Sequence, residues 1–420
     1  MKEGMLVNDS ARFVVAGLVV LIVSVPSLRV FAAKADENAA PLYRQASAEV
    51  VPIPEQLAPA AREVFIGGWQ GEQKELEALL MKHKDAITKF KEASQLEACQ
   101  FVVEAPPTID ANSKFPDYMK EGALVKYVIL DGKWQESKGE WGGAIEDYLA
   151  VLRFAGHVGQ QQHFILFHRL MESYFLRAFA LPSLEQVINR DEVGTKDLRT
   201  LLDALLLLQQ QAPNFEAMLE EEEAIARNNL HLLEAETAAK GVLHGLLFRQ
   251  MYEDACTIQG ELHEPLLGAL QANNLATYEK RLSEIVKRET HPLTRIRRLL
   301  QGKCCPAPVS WFELPSRYTK AITYFYLTES ELRCLIAATA LNLYAREHGG
   351  APETLESLVP MYLSVLPEDP FNDFKPLKYE RKEKGWVVYS IGPDRADNHG
   401  TERYNENGPS KTGDIVVAVF

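Results

Sequence analysis

The sequence predicts a mainly α protein: a helical bundle or array of helical hairpins, followed by a small α+β domain made of one long helix and a short antiparallel sheet. Three observations predict it. In residues 60–301 apolar positions recur at three- and four-residue steps between Gly, Pro and Asn breaks, and strand patterns are nearly absent. A break at 302–315, carrying Pro306, Pro308 and Pro315, precedes a change of pattern. Beyond it come one long apolar helix and then short strand-like runs around a Gly turn.

A chain of 420 residues exceeds one ordinary core. The sequence divides as 1–35, a signal peptide or membrane anchor; 36–59, a linker punctuated by Pro41, Pro52, Pro54 and Pro59; 60–301, a helical domain; and 316–420, the C-terminal module. The composition, 46% hydrophobic and 25% charged, is that of a folded globular protein. Its net charge of -13 argues against nucleic acid, whose binding needs a basic face to release counterions. The acidic run Glu220 to Glu223 points in all directions around a helix and reads as a solvated face.

Phe13 to Val25 form an apolar run closed by Pro26, short for a bilayer span and suited to the core of a signal peptide. Ala33-Lys34-Ala35 offers a small-x-small cleavage pattern, which favours cleavage after Ala35. The competing reading is an uncleaved anchor, with Lys2 and Arg12 holding the N-terminus in the cytoplasm. Either way the residues after 35 lie outside the cytoplasm, in the periplasm or tethered to the membrane through the N-terminal segment alone. A third reading rests on Gly4, Asp9 and Pro26, which stand in the register of a prepilin leader. Asn8, Asp9, Ser10 and Arg12 interrupt the apolar stretch such a leader needs. The five cysteines, Cys99, Cys256, Cys304, Cys305 and Cys334, are odd in number and show no metal or redox spacing, so their pairing stays open.

The clearest helix spans residues 140–155, with Trp141, Ala144, Ile145, Tyr148, Val151, Leu152 and Ala155 on one face and Glu146, Asp147 and Arg153 opposite. With Lys133-Trp134 and the Gly139 turn it resembles one tetratricopeptide-type hairpin, without a recurring repeat. Leu201 to Gln211, apolar on most sides, is expected as a buried central helix. His263-Glu264 lacks the second His of a metalloprotease helix, and His157, His163 and His168 do not share a helical face. No nucleophile-elbow, phosphate-loop or dinucleotide motif occurs, so no catalytic residue is assigned.

In the C-terminal module, residues 328–348 are expected as a helix opened by a Thr328/Glu331 capping box and closed by Gly349. It is apolar all round, which calls for cover on two sides, by its own sheet and by the helical body. Residues 377–381 and 386–391 form a hairpin around Gly385, and 414–419 a last strand.

The ordered set Tyr344, His348-Gly349, Pro352, Leu355, Leu358, Leu366-Pro367-Glu368-Asp369-Pro370-Phe371, Tyr379, Tyr389-Ser390-Ile391-Gly392-Pro393-Asp394 and Gly413-Asp414-Ile415 resembles the globular end of the type II secretion major pseudopilin, the protein G family. The likeness covers about the last ninety residues and none of the helical body. In layout the chain is also similar to long exported bacterial proteins with a helical body and this ending. The resemblance implies a Ca²⁺ loop, with Asp394 as a carboxylate ligand, Ile391 as a carbonyl ligand, Asp414 closing the loop and Asp397 as an extra acid. Arg395 after the Asp, His399-Gly400 in place of a Gly pair, and a longer loop depart from the pattern. On residues alone, Asp394 and Asp397 also read as turn formers.

The expected function is that of a non-catalytic exported or membrane-anchored envelope protein whose helical domain engages a protein partner. The alternatives are a modified pseudopilin or secretion-system subunit, and an exported hydrolase with an unrecognised site.

Overall fold

The computed structural model describes residues 38–101, 118–161, 165–211, 309–405 and 412–419, with isolated positions at 280, 283, 284 and 287. The N-terminal apolar run, His163, His263, Glu220 to Glu223, Cys256, Cys304 and Cys305 lie outside them.

Ten helices are described: α1 (Ala39–Ser47), α2 (Ala58–Gly67), α3 (Lys74–Lys82), α4 (Lys84–Ser94), α5 (Met119–Ser137), α6 (Trp141–Gly159), α7 (Ile165–Phe175), α8 (Leu181–Ile188), α9 (Thr195–Gln211) and α10 (Val309–His348). A π-helical segment, Leu176–Ala180, joins α7 to α8. Five short strands follow: β1 (Glu368–Asp369), β2 (Lys375–Pro376), β3 (Lys378–Arg381), β4 (Trp386–Ser390) and β5 (Ile415–Val419). Among the described residues no helix is long and apolar enough to cross a membrane.

The α5–α6 hairpin is the centre of the helical body. Gly139 turns it in a left-handed conformation (φ 76°). The helices meet closely because Gly132 has no side chain: a Cβ there would stand 2.4 Å from Cε1 of Tyr148. α6 is buried along nearly its whole length, and α5 is buried from Leu124 to Lys133 apart from the exposed Lys126.

Four expectations are corrected. The stretch read as a linker holds α1, which packs Ala39, Ala40, Tyr43 and Ala46 into the core. Asn38 caps it, accepting from Ala40 N (3.1 Å) and Gln100 N (2.8 Å). Pro41 misleads because proline is tolerated in the first turn of a helix. α10 starts at Val309, ahead of the expected cap, so no capping box forms. Thr328 Oγ1 instead donates to Tyr324 O within the helix (2.8 Å), and Glu331 receives Arg177 Nε (3.0 and 3.1 Å). The Leu201 to Gln211 segment is amphipathic and not buried all round, with Leu207 55% exposed. Asp147, read as facing solvent, is fully buried.

α10 packs on one side against α7, α8 and α9 and on the other against β4 and β5. A single cluster of buried apolar side chains runs from Ala39 to Val419, so the helical body and the C-terminal module share a core. Polar clasps reinforce the seam. Arg346 donates to Arg190 O (2.8 Å), Asp191 O (3.3 Å) and Val193 O, collecting carbonyls past the C-terminal end of α8. Asn189 Nδ2 reaches Ala418 O on β5 (2.9 Å).

The sheet is antiparallel in the order β3-β4-β5, with Lys378 opposite Tyr389 and Tyr389 opposite Val416. Alternation splits its side chains: Val388, Val417 and Val419 join the main core, while Val387, Tyr389, Val416 and Ala418 form a second small cluster on the outer face.

Candidate functional site

The loop from Gly392 to Gly413 leaves the sheet after β4 and returns at β5. Both oxygens of Asp394 accept main-chain N–H groups, from Ala396 (3.2 Å) and Gly413 (2.9 Å). Both oxygens of the buried Asp414 do the same, from Asn398 (3.3 Å) and Gly400 (2.7 Å). Burial pushes the Asp414 carboxyl above its ordinary range despite those two amides, and the charges of Asp397 and Asp394 add to the rise. Asp397 sits further out, accepting from Tyr389 OH (3.1 Å) and His399 N (3.0 Å) and facing Lys378 (3.5 Å). Ile391 is buried, and its N–H is committed to Asp369 Oδ2 (2.9 Å).

The loop therefore brings Asp394 and Asp414 together at its base, where they cap the loop's own backbone. Each of these oxygens accepts one amide and keeps a second lone pair. Among the described residues no group of three His, Cys, Asp or Glu side chains is arranged to hold a metal ion. Ca²⁺ takes six to eight oxygen donors, of which the Asp394 and Asp414 carboxylates and the Ile391 carbonyl would supply only part.

Asp369 carries a role that sequence reading missed. Its buried carboxylate accepts from Phe371 N (2.9 Å), Ser390 Oγ (2.7 Å) and Ile391 N (2.9 Å). The Leu366 to Phe371 and Tyr389 to Asp394 motifs are thus two halves of one hydrogen-bonded unit. Burial outweighs these bonds and holds the Asp369 carboxyl above its usual pKa.

Two further charged clusters lie among the helices. Asp131 on α5 and Asp147 on α6 are bridged by the Gln135 amide and flanked by α4, with Lys84 on Asp131 (2.5 Å) and Lys91 on Asp147. Burial first, then the neighbouring Asp131 charge, raises the Asp147 carboxyl to about 7. Beside it Lys133, fully buried, donates to Gln186 (2.8 Å) and Glu136 (3.0 Å), and Tyr148 OH donates to the same Glu136 (2.5 Å). Sequence gave a partial signal here: Asp147 is adjacent to the apolar stripe of α6.

The second cluster lines a cavity of about 30 Å³ between α6, α7, α9 and α10, where Arg169 pairs with Glu172 (2.5 Å) and Arg333 with Glu329 (3.2 Å). Burial raises both glutamates above their ordinary range. Gly159 admits the Glu172 carboxylate, since a Cβ there would lie 2.3 Å from Oε2. Arg169 Nε has no hydrogen-bond partner among the described residues, and a polar space of this size suits one or two water molecules. Of the histidines, His157 is buried against Tyr43 OH (3.0 Å), with burial lowering its pKa to about 4, and His168 is buried beside Tyr118. They are packed in the interior, on different helices.

No protein-family model, curated protein or solved structure matches this chain.

Proposed function

We propose that the chain is a non-catalytic exported or membrane-anchored envelope protein, in which a helical body holds a pseudopilin G-like module and the assembly engages a protein partner. One observation carries most of the reading: α10 serves as the helix of the C-terminal sheet and, by its opposite side, as a member of the helical bundle. The module is thereby held at a fixed orientation by a platform, an arrangement suited to presenting a surface. The apolar run before Pro26 and the small-x-small pattern at Ala33 to Ala35 support export. The ordered pseudopilin motifs, two of which Asp369 ties together, support the kinship of the module.

The test is to sequence the mature N-terminus and to map the chain by protease treatment of intact and permeabilised cells. A mature chain beginning at Asp36, protected until the outer barrier is opened, is the expected result. A chain beginning at Met5 would favour the second reading, a modified pseudopilus subunit, for which the register of Gly4, Asp9 and Pro26 speaks. A chain found wholly in the cytoplasm would sink both.

A further inference from the structure

The outer face of the C-terminal sheet is apolar and buried, yet what lies on it is polar. Val387, Tyr389, Val416 and Ala418 form their own cluster, with Gly400 of the loop set directly upon it. A Cβ on Gly400 would come to 3.0 Å from Cγ2 of Val387 and 3.2 Å from Cδ1 of Tyr389, so a side chain there would push on the sheet by a few tenths of an ångström, at a left-handed φ (62°) that also favours glycine. From 393 to 405 no side chain of the loop is itself buried. An extension of the core would hold such a cover by apolar side chains, whereas this one is held almost wholly by polar links.

Besides the Tyr389 and Lys378 contacts of Asp397 and the bond of Asp394 to Gly413 N, these links stand out among the described residues. Asp414 receives the amides of Asn398 and Gly400, and its own N–H and C=O pair with Glu402 O (2.8 Å) and Tyr404 N (2.8 Å). His399 Nδ1 meets Glu380 Oε1 (2.8 Å), Lys382 donates to His399 O (2.9 Å), and Arg403 reaches Glu185 on α8 (2.7 Å). Water can replace each of these at small net cost, because a hydrogen bond to solvent nearly equals one within the protein. Arg395 and His399 are moreover left-handed without being glycine (φ 57° and 56°), a strain that opening relieves.

The geometry points to residues 393–405 acting as a releasable strap, a cover held shut by charged and polar groups, whose opening bares the apolar outer face of the sheet while the rest of the fold stays intact. Segments with few buried apolar contacts open locally at a fraction of the global free energy.

The experiment uses the full chain under native conditions. Hydrogen exchange at the amides of Asn398, Gly400 and Tyr404 is expected to run at least about a hundredfold faster than at β4 amides, and to be insensitive to low urea. Trypsin cleavage after Arg395 and Arg403 is expected to rise about tenfold in Gly400→Ala, with a gain in binding of an apolar dye and unchanged hydrogen-exchange protection of the α5 and α6 amides. His399→Gln, which removes only a surface link, is expected to give a smaller rise in cleavage, and keeps the test open should Gly400→Ala not fold. Strap amides that exchange at the rate and urea dependence of β4, or cleavage that appears only with global unfolding in both variants, would overturn the inference.

Discussion

Replacing Asp369 by alanine removes the acceptor for two main-chain amides and a hydroxyl inside a site with no solvent exposure. The Ser390 hydroxyl can rotate to another acceptor, so it is assigned no cost. Ile391 N–H follows β4 and Phe371 N–H follows β1, so neither moves without distorting the end of a strand, and a buried amide left unpaired costs about 1–3 kcal/mol, giving about 2–6 kcal/mol for the pair. Removing a carboxylate whose burial is incompletely compensated returns part of this, since its pKa stands above the ordinary value. The net expectation is a loss of about 2–4 kcal/mol, against about 1 kcal/mol for Ser390→Ala, which gives up a single hydroxyl. Urea unfolding followed by circular dichroism gives the energies, and hydrogen exchange at Ile391 and Phe371 tests the cause. A change below about 0.5 kcal/mol, or equal losses in the two variants, would refute the assignment of Asp369 as the centre of this unit.

Gly132→Ala is expected to destabilise by about 1–2 kcal/mol, because the new methyl meets a Tyr148 ring pinned by its bond to Glu136, and this outweighs the helix-propensity gain of about 1 kcal/mol; thermal unfolding measures it. Asp147 keeps its proton in the folded state up to about 7, above its ordinary 3.8, so its contribution is fully present below the lower value and lost as pH rises through the upper one. Relative to Asp147→Asn, the wild type should therefore gain stability as pH falls from about 8 to about 5, read from urea midpoints. His157 works in the opposite sense: its folded pKa of about 4 lies below its ordinary 6.5, so stability relative to His157→Gln is lost as pH falls between those values. For the C-terminal loop, the unfolding midpoint of the full chain is expected to be the same in calcium and in chelator; a calcium-dependent rise that vanishes in Asp394→Ala would show that the loop holds the ion.

Local pattern made much of the fold legible. The helix at 140–155, the hairpin around Gly385, the last strand and the stop at Gly349 all follow from periodicity and glycine placement, and the structure has each of them. The apolar girth of α10 likewise foretold two layers of cover. What escaped were effects of distance. Asp147 reads as solvent-facing until Lys91 and Gln135, from other helices, close over it. Asp369 finds its partners at the end of β4, with β2 and β3 intervening in sequence, where no spacing rule operates. Thr328 has the look of a cap, but the chain before it continues as helix. Asp394 and Asp414 were legible as a pair at the base of one loop, and the amides that occupy them were not.

α10 spans 40 residues, which at a rise of 1.5 Å each makes a rod of about 60 Å. One such rod shared between two layers means that neither layer can be lifted out whole. A fragment cut near residue 316 would keep the sheet but bare the flank of α10 that α7, α8 and α9 now cover, an invitation to aggregate. By the same token, a pull on the strands is a pull on the bundle. A load applied to the C-terminal sheet passes into that helix and from it into the bundle.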